Sequence, residues 1–461
     1  MRFLYFQFPV WLVLSLLLSL PAYAQGTVTY IRDSEIENML RVFIARIKPD
    51  IPSDSVSIRL VLDRQVNAYV SGGANIFIHT GLLQFARSPE EVMGVLAHEF
   101  GHIEAGHLIT LSKIHDRAQT QSIATTLIAV PLAILAGSAG AGAAAITGST
   151  SAAQRIALAQ LRALESSADQ YSVRMLKDAQ ISLSGLISLN QRLQAQKALY
   201  GEGDWYLSSH PQSSERIATL QEALEKQEDA KALADGYAYA LARVRAKIDG
   251  YESPPQQIAR RYPLDDTTHT DPWGEEVTYY AHSINALKHK YFDDALQFAA
   301  KLLQMRPNDP FYHELKADIY RAQGRPNLAL EHYATTLQTI AWAVPVRLVR
   351  ARMLLRMLGG ENDADRRGDL RMMLQDDLDE ITAQERDNLS AWRAYIGLYE
   401  QIGDVGKAAL ARAKVALLGG DAKRAEYFAD LAITTLQRSS PAWQHAHDIK
   451  QSARQIHDDQ G

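Results

Sequence analysis

Cysteine is absent from all 461 residues. That excludes disulfides, thiolate metal cages and a cysteine nucleophile, so any metal the chain binds must rest on His, Asp or Glu. Basic excess is missing as well: 48 Lys and Arg stand against 53 Asp and Glu, a formal net charge of −5. Nothing is left over to neutralise a phosphate backbone, and no nucleic-acid partner is expected. Charge disappears altogether from Phe3 to Leu20 and again through 123–147. The remaining composition, 47% hydrophobic and 22% charged, is that of folded globular material, and the length suits two or three domains.

The first uncharged run follows Arg2 and ends at Pro21-Ala22-Tyr23-Ala24-Gln25. A positive start, an apolar stretch and small residues at Ala22 and Ala24 predict a signal peptide over 1–24, cleaved after Ala24; the competing reading is a membrane anchor of similar length. An exported chain without disulfides, stabilised by core packing alone, suits the bacterial periplasm. The second run, 123–147, reads as a membrane span or as an apolar hairpin or lid. Pro131 and the Gly-Ala-rich stretch 137–148 interrupt a long helix, which favours the lid, with a composition suited to peripheral membrane contact.

Between these runs the pattern is local and readable. Ile36, Met39, Leu40, Phe43, Ile44 and Ile47 recur at helical spacing, and short β-prone runs follow at 56–62, 68–70 and 75–79. Ser88, Pro89 and Glu91 predict a capping box at the start of the next helix, which runs on through Val92, Met93, Val95 and Leu96 into His98. Helices are expected over 151–175 and 178–199, a loop at 201–210, and a new helix from Pro211. Prolines at 254, 255, 263 and 272 mark a linker over 251–275. Beyond it, Ala295-Leu296 and Ala329-Leu330 repeat 34 residues apart, the tetratricopeptide period, with weaker returns at Ala408 and Ala425. The expected organisation is therefore a mainly α chain with a small β-sheet: a catalytic domain over 25–250, then an α-solenoid over 276–461.

His98 and His102 are four apart, which puts both imidazoles on one helix face, suited to two ligands of a tetrahedral zinc ion. Glu99 lies about 100° round the helix, placed to act as base toward a water at the metal. A third ligand is needed. His107 is near in sequence but about half a turn round from His98, so packing or capping is expected of it. Glu165 on the downstream helix is the better source, with Asp169 one turn later able to bond the free nitrogen of a zinc-bound histidine.

Taken together, His98-Glu99-Phe100-Gly101-His102, Glu165-x-x-x-Asp169 and His210-Pro211 with Glu215-Arg216 resemble the M48 family of zinc metallopeptidases. With the leader and the repeats, the chain is most similar to periplasmic members that act in outer-membrane β-barrel assembly. The resemblance implies a zincin-type domain holding zinc through His98, His102 and Glu165, with Glu99 as general base. It also implies His210 as a fourth, inhibitory ligand and Arg216 as a group at the active site that stabilises the oxyanion. Strands 67–70 and 75–79, with Asn75, Ile76 and Phe77 foremost, would be the sheet edge on which an extended substrate adds, or ordinary core strands. Expected substrates and partners are misfolded or stalled outer-membrane proteins and, through the repeats, the β-barrel assembly machinery. The rival reading is a non-proteolytic chaperone or scaffold acting through its repeats. Glu99 favours the peptidase, because a structural metal site has no use for a base beside its ligands.

Overall fold

Alternating side chains near the amino end pair into a small sheet. β1 (Tyr30–Ile31), β2 (Ser57–Val61), β3 (Ala68–Ser71) and β4 (Asn75–His79) lie in the order β1-β2-β4-β3. β2 runs parallel to β4, whereas β1 on β2 and β3 on β4 are antiparallel. The structure is a computed structural model describing residues 29–50, 56–107, 152–200, 206, 210, 214–265 and 271–459. The expected leader 1–24 and the apolar run 123–147 lie outside those residues. Ile76 and Ile78 of β4 are buried, and Phe77, on the opposite face, stacks on Tyr69 at 4.8 Å.

The chain divides into two compact units, Met1–Ile31 with Leu40–Leu241, and Arg32–Met39 with Ala242–Gly461. In the first, the sheet is followed by α2 (Thr80–Phe85) and α3 (Pro89–Glu104), then α4 (Ala152–Asp178), α5 (Ser184–Tyr200) and α6 (Ser214–Glu225). α3 packs against both α4 and α5 and is buried from Glu91 to Gly101, so it carries no polar face. Its start differs from the expected capping box. Ser88 is the N-cap residue, but its side chain makes no cap hydrogen bond. Glu91 instead accepts from the Arg87 amide at 2.7 Å and from the Ser188 hydroxyl at 2.8 Å, and pairs with Arg192. A buried carboxylate takes the strongest donors in reach, and here two of the three, Ser188 and Arg192, come from α5.

The helix α1 (Ser34–Ile47) begins in the segment grouped with the second unit, and α7 (Asp235–Glu252) ends in that unit. The stretch expected as a linker contains α8 (Pro255–Arg261), whose Ile258 is buried in the unit's core. A repeat-like array follows: α9 (Gly274–Lys288), α10 (Phe292–Met305), α11 (Pro310–Ala322), α12 (Pro326–Thr339), α13 (Val344–Gly360), α14 (Ala364–Gln384), α15 (Leu389–Gln401), α16 (Val405–Leu418), α17 (Ala422–Thr435) and α18 (Pro441–Asp459). Sequence neighbours pack in pairs around small residues, with Ala295, Ala329, Ala425 and Ala429 fully buried where helices cross. Asp309, Asn388, Asp404 and Asp421 each cap a helix by accepting a backbone amide.

Arg32–Met39 is bound into this unit by charge. Asp33 caps α1 by accepting from the Glu35 and Ile36 amides. Its other oxygen lies 2.8 Å from Lys247 Nζ. Glu35 lies 2.8 Å from Arg243 Nε and accepts the Tyr280 hydroxyl at 2.5 Å. The Arg243 guanidinium also donates to Asp309 at 2.6 Å and lies over the Tyr312 ring.

Candidate metal centre

Because residues four apart repeat on one helix face, His98 and His102 stand a turn apart on α3, with their Nε2 atoms 3.2 Å from each other. α4 meets this face at its Glu165–Asp169 turn. The approach is close because position 101 is glycine: a Cβ there would come within 2.6 Å of the Ala168 carbonyl oxygen. Glu165 then reaches both rings, Oε2 at 3.3 Å from His98 Nε2 and Oε1 at 3.3 Å from His102 Nε2. His210 completes the group, its Nδ1 3.3 Å from His98 Nε2 and 3.2 Å from Glu165 Oε2. One donor atom from each of the four residues lies within 4.8 Å of all the others.

This set fits zinc. Two donors, each about 2.0–2.1 Å from a tetrahedral ion, stand about 3.3–3.4 Å apart, close to the separations seen here. Glu99 adds a second observation. Both its carboxylate oxygens are buried and accept no hydrogen bond among the described residues; the nearest ring nitrogen, His210 Nε2, is 3.4 Å away. A buried carboxylate left in that state carries a large desolvation cost, which a water held beside it would relieve.

Behind the four, Asp169 Oδ1 lies 2.9 Å from His98 Nδ1. Arg216 donates through Nε and a terminal nitrogen to Asp169 at 2.6 and 2.9 Å, and its other terminal nitrogen lies 3.0 Å from Glu165. All three guanidinium nitrogens therefore brace carboxylates that orient or make up the cluster. Burial by itself would raise both carboxyls, yet the His210 and His102 rings hold Glu165 well below its usual range, and Arg216 and His98 hold Asp169 down. Burial likewise disfavours charge on His98, but Asp169 and Glu165 push it up to about 10. The shifts share one sense: the carboxylates draw positive charge into the imidazole cluster, which a divalent cation supplies.

Residues 31–224 match peptidase family M48. The chain carries an M48 peptidase domain. The β-barrel assembly-enhancing protease of Escherichia coli K12 is 22% identical over 271 residues, 59% of this chain and 55% of that protein. A Vibrio cholerae protein provisionally given the same name is 26% identical over 260 residues, 56% of this chain and 53% of its own length. Metalloprotease LoiP of E. coli is 25% identical over 199 residues, 42% of this chain and 72% of that protein. The chain spans about half the length of the two assembly-enhancing relatives it matches.

Within the M48 domain the structure brings His98, His102, Glu165, His210, Glu99, Asp169 and Arg216 together, and leaves Asn75, Ile76 and Phe77 apart from the role expected of them. These three lie on β4, which is paired on both sides, so its backbone has no free edge to offer. Among the described residues the sheet's two edge strands are β1 and β3, and β3 is the one beside the cluster. Asn67 O accepts from His79 N, so odd-numbered residues of this strand turn toward β4 and even-numbered ones away from it. Ala68 O accordingly points outward, where His210 Nε2 meets it at 3.2 Å. Two neighbours were not foreseen in these places. Tyr206, fully buried, packs its ring 4.7 Å from that of His210, and only its spacing of four from that histidine hints at this. His107 Nδ1 lies 3.0 Å from His102 Nδ1, and burial beside the His102 ring holds its own proton affinity down, to about 4.

Proposed function

We propose that this chain is a periplasmic zinc endopeptidase, latent at rest, acting in the quality control and assembly of outer-membrane β-barrel proteins. The observation that carries the reading is the four-donor cluster with, beside it, the buried carboxylate of Glu99, which accepts no hydrogen bond among the described residues. Zinc held by His98, His102 and Glu165 would supply a Lewis acid for the scissile carbonyl and an acidified water. Glu99 is the group that takes the water's proton and passes it to the leaving amine, since among the described residues neither of its oxygens accepts a hydrogen bond. Asp169 fixes the His98 ring, and Arg216 fixes Asp169 and Glu165. His210 fills the position that water needs and bonds the β3 edge through its other nitrogen. An extended substrate adding to that edge meets the Ala68 carbonyl His210 occupies, so substrate and latch compete for one acceptor.

The names of the relatives support outer-membrane proteins as substrates, and the repeat-like array over 276–461 is the part suited to dock them or the assembly machinery, in a chain exported by its leader 1–24. Zinc content and cleavage of casein and of a misfolded outer-membrane protein test this in wild type, Glu99→Gln and His210→Ala. Zinc is expected in all three, with cleavage raised in His210→Ala and lost in Glu99→Gln. Bound zinc with no cleavage by wild type or His210→Ala counts against the peptidase. Loss of cleavage in His210→Ala with zinc retained counts against the latch.

A further inference from the structure

α3 ends at Glu104, and the chain then reverses on Gly106, whose φ of +64° lies in the left-handed region that L side chains rarely adopt. That turn returns the next residue onto the helix it has just left. His107 is buried against His102, ring centroids 5.0 Å apart and nearly perpendicular, with the two Nδ1 atoms 3.0 Å apart. His102 turns its other nitrogen, Nε2, to His98 and Glu165. A neutral imidazole has one N–H and one lone pair, so an Nε2 that offers a lone pair to a metal leaves the hydrogen on Nδ1. The atom facing that hydrogen is His107 Nδ1.

Resting on the zinc reading above, we propose that His107 is a positioning residue: its Nδ1 accepts from His102 Nδ1–H and so fixes the tautomer and ring angle that present Nε2 to the metal. His98 has a carboxylate, Asp169, in the corresponding place. The two ligand rings are thus braced by different chemistry, one anionic and one neutral. The Gly106 turn gives His107 its reach.

The rival role is packing, and two substitutions in the full-length protein separate them. His107→Asn keeps an acceptor near the Nδ1 position and loses ring volume; His107→Leu keeps apolar volume and loses the acceptor. Zinc affinity is read by competition with a chromophoric chelator on proteins matched for thermal midpoint. Positioning predicts binding about 10- to 100-fold weaker in His107→Leu, the usual loss when a ligand's hydrogen-bonding partner is removed, with His107→Asn near wild type. Equal affinity in wild type and His107→Leu, or a larger loss in Asn than in Leu, overturns it. No zinc binding by wild type overturns the zinc reading itself and this role with it. Nitrogen-15 shifts of His102 in the zinc-loaded wild type give a second measurement. A protonated Nδ1 is expected, and metal bound through Nδ1 overturns the proposal whatever the variants do.

Discussion

At the scale of single residues, this protein places ionisable groups where burial opposes their charge and then overrides burial with a partner. Glu165 and Asp169 are held ionised in that way by histidines and Arg216. Glu314 of α11 is the contrary case. Burial first, then the carboxylates of Asp33 and Asp318, outweigh Lys247 and push it up to about 8. A carboxyl whose affinity for a proton is greater folded than unfolded gives stability that is complete below its ordinary range and is lost as pH rises through the folded value. Hydrogen exchange of α11 amides, corrected for intrinsic rate, is therefore expected to show protection falling between about pH 5 and about pH 8, and Glu314→Gln to flatten the profile. A flat profile in wild type sinks the assignment.

Among elements, the contact that matters is α3 against α4. Two helices whose backbones come this near need a residue without a side chain between them, and Gly101 is that residue. Gly101→Ala is expected to force the helices apart, at a cost of about 1–3 kcal/mol from overpacking, and to draw His98 and His102 away from Glu165. A lowered urea midpoint together with weakened zinc binding would bear this out, whereas an unchanged zinc affinity would show that the ligands do not depend on the approach. β3 makes the opposite point. Among the described residues no strand pairs with its outer edge, where the Ala68 carbonyl is met by His210.

For the molecule as a whole, a segment near the amino end is built into the unit that holds the repeat-like helical array through buried ions. Arg243 there is met by Glu35 and Asp309. Glu35→Ala leaves the guanidinium buried with one carboxylate and the Tyr280 hydroxyl without its acceptor. Breaking a buried pair by removing one partner costs about 3–5 kcal/mol, and the surviving Asp309 contact argues for the lower end. Faster hydrogen exchange in α9 and α11 is the expected outcome; exchange unchanged in both would mean the segment is only a passenger in that unit.

Much of this was legible from residue order. A spacing of four on a well-nucleated helix already determines that His98 and His102 share a face, because the helical repeat is set by local backbone geometry. The mainly α character of the chain and its small sheet were readable from the same periodicities. Tertiary structure decided the rest, for reasons that no local pattern records. Glu165 and His210 are 45 residues apart, and His98 and His210 are 112 apart, and only packing makes them neighbours. Which strand lies at an edge depends on sheet order, not strand composition, so among the described residues β3 is an edge strand and β4 is not. Arg216 is turned onto carboxylates because buried charges must be paired. His107 sits half a helical turn off the metal-facing side by sequence, yet a glycine turn folds it back behind His102, where a straight helix would never have put it.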